Sequence, residues 1–310
     1  IFQIENQQSR SYSFNISYNN YGDETTGRDR VKFDGTKDNL LGINDSLEAS
    51  YQRGRNKRPY RGDSSSGGTT LQPGEIYRGI GGSLPAGTEP EPEKFTEDWS
   101  LNYSVPFRYW TFSTGYSHSF YRSSTEGYNG LYDTSGRSTQ FNMNVDRVVY
   151  RNKMSKISLN GGLKLKQNQN YFEDVQLVDR RLTIGSIGAN YSRGLFGGIL
   201  GFDLSYDRGL PWFRSADDTG KEVYEPKGEF DRYNLNVNWY RPITVGKQKF
   251  TYRLVGVGQY SPDVLYGSEK ISMGDEYTVR GYKGDSIAGD KGYYVKNELA
   301  YNLNIPKVGN

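Results

Sequence analysis

Few side chains in this sequence are equipped for covalent or acid-base chemistry. There is no cysteine, which removes disulfides, thiolate nucleophiles and zinc-thiolate sites. His118 is the one histidine, so neither a histidine-based triad nor a multi-histidine metal site can be assembled. It is expected as a polar surface residue at the outer end of a strand. Asp285 and Asp290 lie among glycines but lack the alternate-residue ligand spacing of a calcium loop, and they read as a solvated turn. Gly79-Ile80-Gly81-Gly82 follows no strand-to-helix pattern that would cradle a dinucleotide, and no Gly-x-x-x-x-Gly-Lys-Ser/Thr phosphate loop occurs. Asn15-Ile16-Ser17, Asn102-Tyr103-Ser104 and Asn190-Tyr191-Ser192 match the glycosylation sequon, a pattern that alternating Asn and Ser on polar strand faces generates without any sugar. No enzymatic activity, cofactor or metal is expected.

The elements that must carry any function are strands. Helical periodicity is hard to find, whereas strict alternation recurs. Tyr12, Phe14, Ile16 and Tyr18 alternate with Ser11, Ser13, Asn15 and Ser17; Trp99, Leu101, Tyr103 and Val105 with Ser100, Asn102 and Ser104; Tyr233, Leu235, Val237 and Trp239 with Asn234, Asn236 and Asn238. Similar strands lie at Leu47–Tyr51, Trp110–Tyr116, Phe141–Val145, Ile157–Leu165, Ile187–Tyr191, Leu200–Tyr206, Phe250–Leu254 and Leu299–Leu303, with a weaker one at Val31–Thr36. The total is twelve, each with one apolar face.

Connections alternate in length. Short links fall near Leu41–Asp45, Pro106, Asn152–Lys156, Arg193–Gly198 and Thr244–Gln248. Long, polar, Gly-rich links fall at Gly54–Glu97, Arg122–Ser138, Gln167–Arg180, Arg208–Phe230 and Tyr260–Gly292. Short turns on one side and long loops on the other mark an outer-membrane barrel, and Tyr and Trp near strand ends fit its interfacial girdles. The fold class expected is all-β, a transmembrane antiparallel β-barrel.

Composition fits that class. Mean hydropathy is −0.82, yet aromatics make up 15% of the residues, too many for a disordered chain; a barrel is polar on average because only alternate residues face lipid. No apolar run approaches the ~18 residues of a spanning helix. Lys and Arg number 39 against 36 Asp and Glu, spread along the chain, so there is no concentrated cationic field for nucleic acid. The start, Ile1-Phe2-Gln3-Ile4-Glu5, has neither initiator Met nor apolar signal segment, which predicts that the chain begins within a longer protein. On pattern alone a secreted all-β adhesin or lectin is the alternative.

One stretch is more specific. Gly274-Asp275-Glu276-Tyr277-Thr278-Val279-Arg280-Gly281-Tyr282-Lys283-Gly284-Asp285-Ser286 is followed by Gly292-Tyr293-Tyr294-Val295-Lys296-Asn297-Glu298-Leu299. The Val-Arg-Gly-Tyr tetrapeptide between two strands, followed by that strand start, resembles the sixth extracellular loop of two-partner secretion transporters, members of the superfamily of barrels that insert or translocate proteins at the outer membrane. A second resemblance lies in Asn19 to Arg30 and Asp38 to Asp45, similar to that family's first hairpin and following periplasmic turn, with Asn20, Gly22, Thr26 and Gly27 as its signature. Asn19 stands where the family more often has Asp. The Asn-Tyr-Gly-x-x-x-Thr-Gly hairpin favours the transporter over an insertase of the same superfamily. The loop also falls between the eleventh and twelfth strands counted independently from alternation, which is its place in the family.

The resemblance implies a monomeric barrel of about 16 strands, with residues 1–10 as the end of a linker from two periplasmic polypeptide-transport domains and residues 11–310 as barrel strands one to twelve, about four strands short of closure. It implies a bacterial outer-membrane protein, embedded in lipid, that passively secretes one large partner exoprotein such as an adhesin, hemolysin or contact-dependent inhibition toxin. In the family the sixth loop folds into the lumen. By resemblance Arg280 then pairs with an acidic residue of the wall beyond Asn310, Gly281 lets the tip bend, and Val279 and Tyr282 complete the lumen anchor.

Overall fold

A sheet with one apolar and one polar face must either find a second layer or face lipid. The computed structural model of the chain describes residues 11–20, 27, 29–55, 94–127, 130–246, 248–274, 278 and 286–301. Its strands are β1 (Tyr12–Asn19), β2 (Asp29–Asp38), β3 (Ser46–Arg55), β4 (Phe95–Phe107), β5 (Trp110–Gly127), β6 (Gly130–Arg151), β7 (Ser155–Phe172), β8 (Val175–Leu195), β9 (Gly198–Leu210), β10 (Asp231–Val245), β11 (Gln248–Tyr260), β12 (Ile271–Met273), β13 (Ile287–Gly289) and β14 (Gly292–Tyr301). Twelve of them form one sheet in the order β1 through β11 and then β14, while β12 and β13 pair separately. Each alternation read from the sequence falls in one strand of the large sheet; Leu303 of the last lies outside the described residues.

Two connections differ from expectation. Arg122–Ser138 and Gln167–Arg180 are not long loops: β5 runs to Gly127 and β6 restarts at Gly130, and β7 and β8 meet at Glu173 and Asp174, both in the left-handed region with φ of 49° and 61°. Two such residues in succession make the twisted hairpin turn that lets a ladder continue to its tip. Polar side chains hold the extension: Gln167 Nε2 donates to Asp179 Oδ1 at 2.7 Å, the Asp133 N–H to Glu173 Oε1 at 2.6 Å, and the Tyr132 and Phe172 rings stack at 5.4 Å. Ser, Asn and Gln on both faces suit strands standing in water as well as loops. Because β5 is longer than expected, His118 sits mid-strand and not at its end, with Nδ1 3.2 Å from Thr139 Oγ1 and its ring 5.7 Å from that of Trp99. Pro106 lies within β4, and the turn follows at Arg108, whose φ is 57°.

The chain forms two compact units. One comprises Ile1–Val105, Ser113–Asn142 and Leu165–Arg181. In it Ile16, Phe33, Tyr51 and Trp99 lie opposite one another across β1 to β4, with rings 6.4 Å apart at Phe33 and Tyr51, and Trp99 meets Tyr116 at 5.0 Å. Phe33, Tyr51, Trp99 and Tyr116 thus make a continuous aromatic row on the apolar face. The opposite face is hydroxylic and amidic: Ser50 Oγ and Ser100 Oγ are 2.8 Å apart, and Gln52 Nε2 reaches Asp98 Oδ2 at 3.4 Å.

The other unit comprises Pro106–Phe112, Met143–Lys164 and Leu182–Asn310. Ile187, Tyr206, Tyr233 and Tyr260 form an equivalent row across β8 to β11, with aliphatic pairs Ala189, Leu204 and Leu235 one rung nearer the turns. Its polar face is a chain of amides, Asn160 Nδ2 donating to Asn190 Oδ1 at 2.7 Å and Asn190 Nδ2 to Asp203 Oδ1 at 2.5 Å. The apolar cluster buried here, Leu182, Ile184, Phe230 and Leu265 with Ala216 and Tyr266 against it, lies beneath the loops after β9 and β11. The long apolar faces stay bare, with Phe14 67%, Leu204 57% and Leu299 66% exposed. A solvated sheet does not leave such area open, and lipid is its natural cover.

The first short turn is rigid for a definable reason. Asp45 is 1% exposed, accepts the Leu41 N–H on Oδ1 at 3.0 Å and on Oδ2 at 3.1 Å, and accepts the Tyr103 hydroxyl at 3.0 Å. Asn39 and Asn44 take positive φ of 56° and 60°, and the Asn44 N–H donates to Asn39 Oδ1 at 2.9 Å. Burial alone pushes the Asp45 carboxyl up, but the hydrogen bonds from Leu41 and Tyr103 outweigh it and hold the group below the ordinary carboxylate range. A carboxyl depressed on folding contributes stability above its unfolded pKa of about 4, and loses it as pH falls through the lower folded value. Asp45→Asn is therefore expected to lower the unfolding temperature at neutral pH, followed by heat-modified mobility on gels, with a gap that narrows progressively as pH falls below about 4. An equal gap at both pH values would exclude the ionised carboxylate as its cause.

Candidate functional site

The polar face is nearly uncharged along β10, where Asn234, Asn236 and Asn238 succeed one another, until Arg232 at the loop end. Arg232 lies opposite Asp207 of β9, and its side chain is only 10% exposed. A buried guanidinium is tolerable only with its donors satisfied. Arg232 Nε and Nη2 donate to Asp207 Oδ2 at 3.1 and 2.8 Å, while Nη1 donates to Glu269 Oε2 at 3.1 Å and to the Glu269 carbonyl at 3.0 Å. Asn234 Nδ2 adds a bond to Asp207 Oδ2 at 2.8 Å, and Ser268 Oγ one to Glu269 Oε1 at 3.1 Å. The planar fork of Arg thus joins two strands of the wall to a residue in the connection between β11 and β14.

That connection is built downward from the same cluster. Gln259, one rung from Arg232, donates through Nε2 to the carbonyls of Glu269 at 3.1 Å and Asp290 at 3.3 Å. Asp290 Oδ1 accepts the Leu265 N–H at 2.8 Å and pairs with Lys270 at 3.5 Å. Between these fixed residues β12 and β13 form a short antiparallel stem, Ile271 opposite Gly289 and Met273 opposite Ile287. Beyond the stem the Gly274 N–H donates to Thr278 Oγ1 at 3.0 Å. Val279, Arg280, Gly281 and Tyr282 lie outside the described residues, so what is seen is the stem that carries them.

The neighbouring loop after β9 is equally organised. Asp218 accepts the N–H groups of Gly228 at 2.8 Å and Glu229 at 2.7 Å and the ammonium of Lys221 at 2.5 Å. Burial raises the Asp218 carboxyl, but these bonds together hold it below its ordinary value. Lys221 also donates to Tyr266 of the next connection at 2.8 Å, and the Lys227 N–H meets the Val264 carbonyl at 3.1 Å. The two loops therefore close over Leu182, Ile184, Phe230 and Leu265 as one structure.

Of the first-hairpin signature, Asn20 is described and exposed, Gly22 and Thr26 lie outside the described residues, and Gly27 is buried. Its φ is +128°, and a Cβ there would stand 2.7 Å from the Gly54 carbonyl carbon and 2.8 Å from the Arg55 nitrogen, so only glycine fits both the backbone and the space. The sequence reading missed Arg232, Asp207 and Glu269. The available signal was a lone arginine heading a face otherwise made of Asn.

These features can now be set beside known proteins. The whole chain, residues 1–310, matches the family described as haemolysin secretion/activation protein ShlB/FhaC/HecB. The outer membrane transporter CdiB of Dickeya dadantii (strain 3937) is 34% identical over 217 residues, covering 69% of this chain and 38% of that protein. The hemolysin transporter protein HpmB of Proteus mirabilis is 26% identical, covering 100% of this chain and 51% of its own. The solved structure of CdiB from Escherichia coli superposes with a TM-score of 0.79 at 25% identity, covering 96% of this chain and 50% of that one. The chain thus spans about half or less of the length of these relatives. The secreted-adhesin alternative is left without support, the bare apolar faces are those of an outer-membrane protein, and the chain belongs to the ShlB/FhaC/HecB family of haemolysin secretion/activation proteins.

Proposed function

We propose that this chain forms wall and loops of a pore that passes one large, unfolded partner exoprotein across the outer membrane, as a transporter and not as an enzyme. The observation that carries the reading is the contrast between the two faces. The outward one is apolar and unpartnered; the inward one is rich in Ser, Asn and Gly, with side chains bonded to one another as in the Asn160, Asn190 and Asp203 chain. A wall that already satisfies its own polar groups offers an extended polypeptide little to hold, which suits transit better than binding. The relatives named as an outer membrane transporter and a hemolysin transporter support the transporter class; in this reading the cargo is a secreted adhesin, hemolysin or toxin. With no phosphate-loop motif in the sequence, transit is passive in this reading, and folding of the cargo outside gives it direction.

The reading extends to fold completion and topology. Residues 1–10 serve as linker and residues 11–310 as twelve wall strands of a larger, monomeric barrel. The connections after β9 and β11 face the medium, and the turns at Asn39–Asp45 and Asn152–Met154 face the periplasm. Cysteines placed singly at Val223 and at Lys153 test this against the cysteine-free background. With an impermeant maleimide on intact cells, the first is expected to react and the second not, and the reverse pattern would invert the topology.

Arg280 is assigned the anchoring of the loop tip in the lumen, with Val279, Gly281 and Tyr282 shaping its seat. A cation with restricted access to water is held only where a carboxylate satisfies it, and separating such a pair costs about 3 to 5 kcal/mol. Arg280→Ala is expected to reduce secretion strongly and alter single-channel conductance while the barrel still inserts; Lys restores little because it lacks the two-pronged geometry. Secretion at the parental rate by Arg280→Ala would refute the assignment.

A further inference from the structure

We infer that Arg232 is a positioning residue for the β11–β14 connection: with Asp207 and Glu269 it fixes both limbs of the β12–β13 stem against the polar face of the wall, and so sets the direction in which the motif-bearing segment leaves it. Three observations carry this.

The first is placement. Arg232, Asp207, Asn234 and Gln259 all belong to the polar face of β9, β10 and β11 at its loop end, by the pairings of Arg232 with Asp207 and of Asn234 with Gln259. Glu269 therefore lies over the inward side of the wall. The stem that begins two residues later starts from the inward side, not from the rim.

The second is burial. The side chains of Arg232, Asp207 and Glu269 are 10%, 12% and 4% exposed, a depth at which an ion pair keeps its geometry against competition from water. Surface pairs of the same residues would not direct anything.

The third is that the cluster reaches both limbs. Glu269 lies two residues before β12, and Asp290 immediately follows β13. Gln259 bridges their two carbonyls, and Lys270 and Asp290 pair across the stem base. An arginine whose purpose was to tie β9 to β10 would need only Asp207, since the backbone ladder already joins those strands. The contacts from Nη1 to Glu269, both to its carboxylate and to its carbonyl, serve the connection alone.

The geometry stands on the structure, whereas its consequence for secretion rests on the translocation reading. The test uses the full-length protein in lipid, with spin labels on cysteines introduced at Ser272 in the stem and Arg253 on the polar face of β11. The parental protein is expected to give one narrow distance distribution. Arg232→Ala is expected to broaden it, the released stem gaining on the order of 100-fold in population, since an unpaired buried charge disfavours the seated state. Arg232→Lys should recover it only in part, because one ammonium cannot serve Asp207 and Glu269 in a fixed fork. Glu269→Gln lies outside the wall and leaves the ladder untouched, so it keeps the test valid if Arg232→Ala fails to insert; it should broaden the distribution as well, and the double variant should add little to either single change. A parental distribution in Glu269→Gln or in Arg232→Ala overturns the positioning role, as does full recovery with Lys. Secretion of the partner, measured in parallel, separates the two ideas: a broadened distribution with parental secretion supports the positioning role and refutes the use of this loop in translocation.

Discussion

A backbone amide facing hydrocarbon has no water to bond, so every N–H and C=O crossing the membrane must be paired within the protein. The rest of this structure follows from that constraint. An antiparallel ladder between consecutive strands meets it with short connections, and β1 through β11 and β14 pair each with its neighbour in chain order. Once the backbone is committed to the ladder, the side chains can only alternate, and the two faces become independent surfaces. One is governed by lipid, hence Leu204, Leu235 and the tyrosine row above them. The other is governed by water.

The independence of the faces explains what could be read from the amino-acid sequence. Alternation is a local signal, so the twelve strands were visible without any knowledge of pairing, as were the short links near Leu41–Asp45 and Asn152–Lys156. What local pattern does not contain is where a ladder stops. The extensions of β5, β6, β7 and β8 mix polar residues with a few apolar ones such as Phe172, Val175 and Leu177 without a clean alternation, and the residues there look like loop until their pairing partners are known. Arg122–Ser138 and Gln167–Arg180 therefore read as loops although they are hairpin arms. The Glu173-Asp174 turn carries no glycine to announce it. The cluster of Arg232, Asp207 and Glu269 was hidden for a related reason: Arg232 and Glu269 are far apart in the chain, and only the register that sets Asn234 beside Gln259 brings the β11–β14 connection over them. The motif around Arg280, by contrast, came from resemblance alone, because nothing in its local pattern says what it touches.

Charge is distributed along the polar face by the same logic. A cation or carboxylate on the middle rungs needs a partner of its own. Along β7 to β10 middle rungs carry Asn160, Asn190, Asn236 and Asn238, with Asp203 engaged by Asn190. Two of the most extensively bonded charges sit at strand ends: Asp45 under the first short turn, and Arg232 with its two carboxylates under the long loops. In both places the charged group bonds to segments that the ladder does not reach, the Leu41 N–H in one and the Glu269 carbonyl in the other.

This division assigns different physical duties to different parts of one strand. Lipid burial and the ladder hold the middle of β10 in place whatever its polar side chains are, which leaves Asn234 to Asn238 free of any structural duty beyond satisfying their own amides. Its outer end has no lipid, and the connection it supports has no ladder to the wall, so order there must come from side chains. A buried arginine is costly as a source of stability compared with an apolar residue of similar volume. It has a property an apolar residue lacks, which is direction: its donors fix two carboxylates and a carbonyl at set angles. Where the requirement is to aim a short stem rather than to fill a core, that directionality is what makes a buried ion cluster the better solution.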